Sequence, residues 1–524
     1  METLSGTAEE DILFPTDTLS QDIENMQNAA LRVKTAIDNG EDICVFGDYD
    51  ADGVCSMAIL FLMLTHLKNG AKQPRGMISI RAPRRLSEGY GISEKAVDEV
   101  PKGLLITVDN GISAIDEIKK AKEKGLSVIV LDHHLPGPDI PDADIIVDPH
   151  LHPEKNGFED FCGAGLAYKL AELLVTDEQL MEKLSAIAAI GTIADVVKLH
   201  GANRVLVKKG LRALNERNVT QGLKSLMDAC EFTVINEESV AFKLAPVLNA
   251  PGRLYDDGAR YSSACLAQDA KPVPALAQQL VNINEDRKRI VTEAYDAVLK
   301  GLDVPPAGPI IVYMPQLHEG IIGIVAGKLA ENLSVPAYVF TGQEEIKGSG
   351  RCNISGMNLY DFTCTASQFL SRFGGHSGAV GLSLPRKNFE EFRECVERTY
   401  HELDVCTDEN VYYDIEIQPF EVGRYIELQK TYEPFGEGMP KPVFLIRNIP
   451  LVPIYGEYVK YIGKNREHLK FATKGYSLVG FSMAGKYAQE GKPKVIDVVG
   501  RLGMNESRYG SFPQVEIVDF SASL

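Results

Sequence analysis

The chain has 524 residues, 44% of them hydrophobic and 24% charged, with a formal net charge of −19 at pH 7. That length exceeds one ordinary core, so two to four domains are expected, and the composition excludes a disordered chain. The acidic balance excludes broad attraction to nucleic acid or anionic membranes; any polyanion site must be a local cluster, because screening confines surface fields to roughly 10 Å at physiological salt.

Nine cysteines are scattered without a Cys-x-x-Cys pair, so neither a zinc ribbon nor a disulfide framework is suggested, and free thiols in a reducing compartment are expected. The first ten residues are acidic and lack the apolar core of a secretory signal. The longest apolar run, near residues 57–64, is far short of a bilayer span. A cytoplasmic protein without membrane association is the expectation.

In chain order, a β-rich run at 43–46 leads into Asp48, Asp50 and Asp52 and then an apolar helix at 54–67. Carboxylates at alternate positions of an extended chain can be aimed at one point. Converging there, they repel one another unless a proton or a hard cation lies between them. A second run, 104–108, ends in Asp109, and an amphipathic helix is expected at 115–124. A third, 128–131, ends in Asp132-His133-His134, and a short fourth at 144–147 ends in Asp148. Strands alternating with helices imply a mostly parallel sheet, whose functional groups gather beyond the carboxyl ends of the strands. A helix over 185–193 runs into Asp195.

Residues 200–300 read as helices, ending in a charged stretch at 284–290 expected to be a solvated connecting helix. Pro305-Pro-Ala-Gly-Pro309 is the clearest linker signal. A second α/β region spans 310–401. The tail, from 406 on, alternates short β-type runs with turns, as a small β-barrel does. The expected division is 1–215, 216–304, 305–404 and 405–524.

Taken singly, an Asp between strand and helix is more often an N-cap than a ligand, and a His-His pair more often structural than catalytic. Four such clusters at the ends of successive elements would require four coincidences, which favours a metal site. Carboxylates with imidazoles and no thiolate suit Mn²⁺ or Mg²⁺, manganese being favoured by the histidine, and the number of ligands suits two ions. A metal pair can activate water and stabilise the departing oxygen of a phosphate ester.

Asp48-Tyr-Asp-Ala-Asp-Gly, Val108-Asp-Asn-Gly-Ile, Asp132-His-His and Ile193-Ala-Asp resemble the four motifs of the DHH phosphoesterase superfamily. Leu248-Asn-Ala-Pro-Gly-Arg-Leu, His318-Glu-Gly-Ile-Ile-Gly, Gly348-Ser-Gly-Arg and Gly374-Gly-His resemble the RecJ family of single-strand-specific exonucleases and its DHHA1 domain. Glu433-Pro-Phe-Gly-Glu-Gly and the tail resemble that family's OB-fold. The resemblance implies an α/β protein: a parallel-sheet DHH domain, a helical connector, a second α/β DHHA1 domain and a C-terminal β-barrel.

It further implies metal ligation by Asp50, Asp52, Asp109, His133 and Asp195, with Asp109 bridging two ions. His134 would contact the scissile phosphate, and Asp132 would orient a histidine. Smaller members carry a histidine four residues before the Asp50 equivalent; here that residue is Phe46, and Asp48 is a further candidate ligand. Ser349, Arg351, Arg253 and Arg85 resemble a pocket for a 5′-terminal phosphate, and Gly375 and His376 a close approach to a nucleotide. In the tail, Lys460, Tyr461, Lys464, Arg466 and Lys470 interleave cations with rings, as single-strand-binding OB-folds do; a solvated hairpin with core aromatics fits the pattern equally. Met439, Val380 and Leu317 depart from the family pattern without touching a proposed ligand.

The implied activity is 5′→3′ hydrolysis of single-stranded DNA to 5′-mononucleotides in repair and recombination, with a single-strand-binding protein as an expected partner. Two rivals remain: a phosphodiesterase of short oligonucleotides or cyclic dinucleotides, and a non-catalytic replication scaffold.

Overall fold

The computed structural model describes residues 1–524 apart from 73, 303–305, 307, 404–409, 464–465, 508–509 and 524. Five parallel strands open the chain: β1 (Ile43–Phe46), β2 (Ile78–Arg81), β3 (Leu104–Val108), β4 (Ser127–Leu131) and β5 (Ile145–Val147), in the order β2-β1-β3-β4-β5. β1 and β3 are buried along their whole length, which is why they read as unbroken apolar runs rather than as alternation. β2 was absent from the expected elements because it is only half-buried and its short run, Ile-Ser-Ile-Arg, is bordered by glycine and proline. The chain runs outward from β1 to β2 and then returns across to β3. The strand order therefore reverses between β1 and β3, the place where open parallel sheets leave a crevice.

The helix Ala51–Gly70 is longer than the expected 54–67 and lies between the sheet and the helices Gly163–Leu174 and Glu178–Ala194. Although long and apolar enough to cross a bilayer, it is mostly buried inside this domain. Its apolar residues face neighbours on every side, and each fully buried Leu, Ile or Met contributes roughly 1.5–3 kcal/mol.

The helices Ala245–Leu254 and Pro274–Leu299 pack on one another and lead into the second α/β region. The stretch expected to be a solvated connector is only half so: Pro274–Leu299 buries Leu280, Ile283, Asn284, Val291 and Ala294. The mixed sheet that follows has β6 (Ile310–Tyr313), β7 (Ala337–Gly342), β8 (Glu345–Arg351), β9 (Arg372–His376) and β10 (Ala379–Pro385), ordered β6-β7-β8-β10-β9. The helix Glu319–Leu333 packs against β7 and β8 and also touches Ala245–Leu254.

The third region is a seven-stranded sheet, β11 (Ile415–Ile417), β12 (Val443–Pro450), β13 (Lys460–Ile462), β14 (His468–Ala472), β15 (Ser477–Gly480), β16 (Val495–Ser507) and β17 (Gly510–Ala522). Its order is β11-β12-β16-β17-β15-β14-β13. It wraps one apolar core, but no ladder joins β13 to β11 among the described residues, so the expected barrel stays open.

This tail is tied back to the first domain. Arg204 is fully buried and donates to four backbone carbonyls: Ile12 (2.7 Å), Tyr432 (2.7 Å), Glu433 (3.1 Å) and Pro434 (2.8 Å). The Phe435 amide donates to Glu237 (3.1 Å). Ile12, Phe435 and Met439 close an apolar cluster over the junction, so Met439 serves the core.

Candidate metal centre and arginine pocket

The residues after β1, β3 and β4 meet at the sheet's crevice. Asp50 caps the Ala51–Gly70 helix, accepting the Gly53 amide at 3.0 Å. The N-cap role and the cluster role thus coincide in one side chain. Asp52, in the first turn of that helix, is 2% exposed and accepts the amides of Gly163 (2.7 Å) and Ala164 (2.9 Å) at the start of another helix. Those donors hold its carboxylate in place and favour its charged form. Asp109 follows β3 with φ +60°, and Val196, next to Asp195, has φ +61°. Left-handed backbone at non-glycine residues costs about 1–3 kcal/mol each and is found where a site is held rigidly.

His133 Nε2 lies 3.1 Å from Asp109 and 3.8 Å from Asp52, and its Nδ1 lies 3.8 Å from Asp195. Three overlapping groups have donor atoms within 4.8 Å of one another: Asp52, His133 and Asp195; Asp48, Asp50 and Asp109; and Asp109 with His133 and His134. Asp48 Oδ1 and Asp109 Oδ2 are buried without a hydrogen-bond partner. Orphaned carboxylate oxygens facing other carboxylates fit a hard divalent cation and little else.

The electrostatics say the same. Burial, then the charge of Asp50, pushes Asp48 up to about 8, and the same causes lift Asp52 to about 6. Burial with Asp52 and Asp50 raises Asp195 to about 8, and burial with four neighbouring aspartates raises Asp109 far above the carboxylate range. Burial and His134 hold His133 down at about 4, leaving a neutral imidazole able to ligate. His134 behaves oppositely: burial opposes its charge, but the 2.8 Å hydrogen bond to Asp132 outweighs it and raises the ring to about 9. Asp132 also accepts the amides of Ile112, His133 and His134, and His134 Nε2 meets the Tyr90 hydroxyl at 3.1 Å. A cleft of about 190 Å³ opens beside this pair, lined by Tyr90, Ile112 and Leu135.

Cations collect on the adjoining side. Arg85 lies 4.6 Å from the Tyr49 ring, and its loop is clamped by Asp256, which accepts the Leu86 and Ser87 amides and the Ser87 hydroxyl at 2.7–3.1 Å. Gly252 sits so close to the Tyr49 carbonyl that an added Cβ would lie 2.5 Å from it, bringing Arg253 beside the carboxylate loop. Burial, then Arg85 and Arg287, presses Arg253 down to about 10. On the Glu319–Leu333 helix, Gly320 lies against the Arg253 carbonyl, and Gly323, one turn on, against Ser349 and Arg351. Arg351 donates to the Ser349 hydroxyl at 2.8 Å. Ser349, Arg351, Arg253 and Arg85 thus line neighbouring elements.

Family models match in three segments: the N-terminal domain of the DHH family at residues 42–192, a DHHA1 domain at 308–402 and a RecJ OB domain at 413–519. The chain is 31% identical to the single-stranded-DNA-specific exonuclease RecJ of Thermus thermophilus, aligning 95% of itself with 71% of that protein. The chain belongs to the RecJ family. It is also 35% identical to RecJ of Bacillus subtilis over 96% of its length, spanning 64% of that relative. The crystal structure of Thermus thermophilus RecJ in complex with Mn²⁺ superposes with a TM-score of 0.80 at 29% identity, covering all of this chain and 75% of that one. A second RecJ structure, bound to manganese, gives 0.62 at 32% identity over 73% of this chain and 96% of that chain.

Within this RecJ-family chain, Asp48, Asp50, Asp52, Asp109, His133 and Asp195 converge as a group, with Asp132 and His134 at its edge. The histidine position of smaller members is filled by Phe46, whose side chain is fully buried in an apolar cluster; Asp48 joins the cluster of carboxylates instead. Gly374-Gly375-His376 is not a turn but edge strand β9. Gly375 has φ +151° and an added Cβ would lie 2.1 Å from the Ala379 carbonyl, so strand pairing alone requires this glycine; His376 is exposed. In the tail, Lys460 and Lys470 are cross-strand partners, and Arg466 lies 5.3 Å from the Tyr461 ring, while Tyr461 also packs on the core. Cations and rings thus meet in that hairpin while part of the ring surface serves the core; Lys464 lies outside the described residues. Sequence reasoning missed Gly163, Tyr90, Asp256 and Arg287. Only Gly163, in Phe161-Cys-Gly-Ala-Gly, carried a signal, a glycine-rich helix start.

Proposed function

We propose that this chain hydrolyses single-stranded DNA from its 5′ end to 5′-mononucleotides, using two divalent cations, Mn²⁺ or Mg²⁺. The observation that carries the reading is the adjacency of two clusters of opposite sign: carboxylates with orphaned oxygens, and arginines without an ion pair among the described residues, joined to them through Tyr49. Asp52, His133 and Asp195 would hold one ion, and Asp48, Asp50 and Asp109 the other, with Asp109 between them. Bound cations would neutralise charge on the phosphodiester and lower the pKa of water.

The chain's own groups do the rest. His134, kept protonated and oriented by Asp132 through Nδ1, rests its Nε2–H on the Tyr90 hydroxyl and exchanges that acceptor for an incoming phosphate oxygen. Ser349, Arg351, Arg253 and Arg85 receive the terminal phosphate, guanidinium forks matching its oxygens. A terminus anchored at a set distance from the carboxylates selects the 5′ end. Lys460, Tyr461, Arg466 and Lys470 support the strand further out. A single-strand-binding partner and a cytoplasmic setting belong to the same proposal, supported by the family resemblance and by eight described free thiols.

A manganese-dependent time course on 5′- and 3′-end-labelled single strands, with a duplex and di- to pentanucleotides alongside, tests this. Immediate release of the 5′ label as mononucleotide is expected. Release of the 3′ label first, or turnover confined to the shortest oligonucleotides, would sink it.

A further inference from the structure

The connector helix Pro274–Leu299 carries three cations in succession, and they are treated differently. Lys288 pairs with Glu285, and Arg289 with Asp286 and Glu293, all on the solvent side. Arg287 has no ion pair among the described residues, and its Nε is buried without a hydrogen-bond partner. One turn earlier, on the same face, Asn284 is 3% exposed with Oδ1 also unpartnered. The facing helix Ala245–Leu254 repeats the arrangement: Asn249 has a buried, unpartnered Oδ1 four residues before Arg253.

Arg287 and Arg85 are the cations that act most strongly on Arg253, so three guanidiniums share one neighbourhood. The chain has 73 carboxylates for 54 lysines and arginines, yet none is paired with Arg85, Arg253 or Arg287 among the described residues. Guanidiniums crowded together with buried donors unmade are unfavourable until an anion arrives.

We propose that Arg287 is a phosphate-binding residue, contributed by the connector helix, that holds a phosphate of the bound strand together with Arg253. This rests on the single-strand reading above and extends it: the element joining the two α/β domains grips the substrate.

The test is binding by fluorescence anisotropy in EDTA, using 3′-labelled oligodeoxynucleotides with a 5′-phosphate or a 5′-hydroxyl, on wild type, R287M, R287K and R253M. R287M is expected to weaken binding of the phosphorylated strand about tenfold or more and to lower the slope of log K against log salt by about one. R287K, retaining charge but losing the fork, should restore the salt slope and only part of the affinity. R287M binding both strands like wild type, with an unchanged slope, overturns the proposal. Should R287M fail to fold, R287K decides: wild-type affinity for the phosphorylated strand overturns it. If R253M weakens binding while R287M does not, the pocket stands without Arg287. If neither arginine matters and the wild type ignores the 5′-phosphate, the pocket reading itself falls.

Discussion

The two halves of the site are electrostatic opposites built by one means. At the carboxylate end, burial and like charge push Asp48 and Asp195 up to about 8. At the arginine end, the same pair of causes pushes Arg253 down to about 10. Each cluster is unfavourable alone, and each is relieved by an occupant of the other's sign. The two differ in part: the carboxylates stand on strand ends and helix termini, whereas Arg85 rides on a loop clamped by Asp256. Within the positive half, Arg253, Ser349 and Arg351 stand on a helix and a strand, so Arg85 is the adjustable member of an otherwise rigid pocket.

Breaking the negative half should have the largest effect. Asp109→Asn should lower manganese-dependent turnover by about 10³-fold or more, several kcal/mol of charge stabilisation being lost. The same variant should raise the thermal midpoint in EDTA at neutral pH, because burial forces the Asp109 carboxyl to take up a proton that the unfolded chain does not hold, and asparagine escapes that cost. A lower midpoint would mean the aspartates are not in conflict. Next, Gly163→Ala sets a Cβ 2.7 Å from the Asp109 Cβ and 2.9 Å from Asp52 Oδ2. Turnover should fall about 10–100-fold, as when support of a metal ligand is disturbed, with circular dichroism unchanged.

Breaking the positive half should change recognition more than chemistry. Arg253→Met is expected to raise KM for 5′-phosphorylated strands about tenfold or more while kcat falls less; equal losses in both would place Arg253 in the chemical step.

The comparison sharpens with pH. Asp48 and Asp195 have folded pKa values above the unfolded value near 4, so their stabilisation is complete below pH 4 and drains away as pH rises to about 8. His134, raised to about 9, loses its contribution in the same direction above its unfolded 6.5. His133, held down at about 4, works oppositely, but only below 6.5. Between pH 6.5 and 8 the first three act together, and the metal-free protein should lose about 1 kcal/mol per group and pH unit. Melting curves in EDTA should fall across that window, and saturating Mn²⁺ should flatten them; a flat metal-free profile would contradict it. The smallest effect is expected for Asp256→Ala, a few-fold rise in KM through release of the Arg85 loop, its hydrogen bonds contributing roughly 1–3 kcal/mol.

Much of this was legible in the sequence, for a physical reason. The ligands stand at strand ends, and fully buried parallel strands announce themselves as apolar runs ending abruptly in charge. Asp109 and Asp132 could hardly be misplaced. Half-buried β2 lacked such a run. Asp52's support at Gly163 lies over a hundred residues away, and no local pattern records that meeting. Arg287 was read as solvated because its neighbours are, and only the packing of two helices turns one cation of three inward. Gly375 was read as a nucleotide's approach, and strand pairing gives a second reason for glycine there that no local pattern records.

The Arg204 anchorage bears on how the chain is made. A ribosome delivers Ile12 first, Arg204 later, and residues 432–434 last. Until then the buried guanidinium has one of its four carbonyls, and the first domain remains open at that seam. A chain ending before residue 432 would leave that cation with the Ile12 carbonyl alone and three donations unmade.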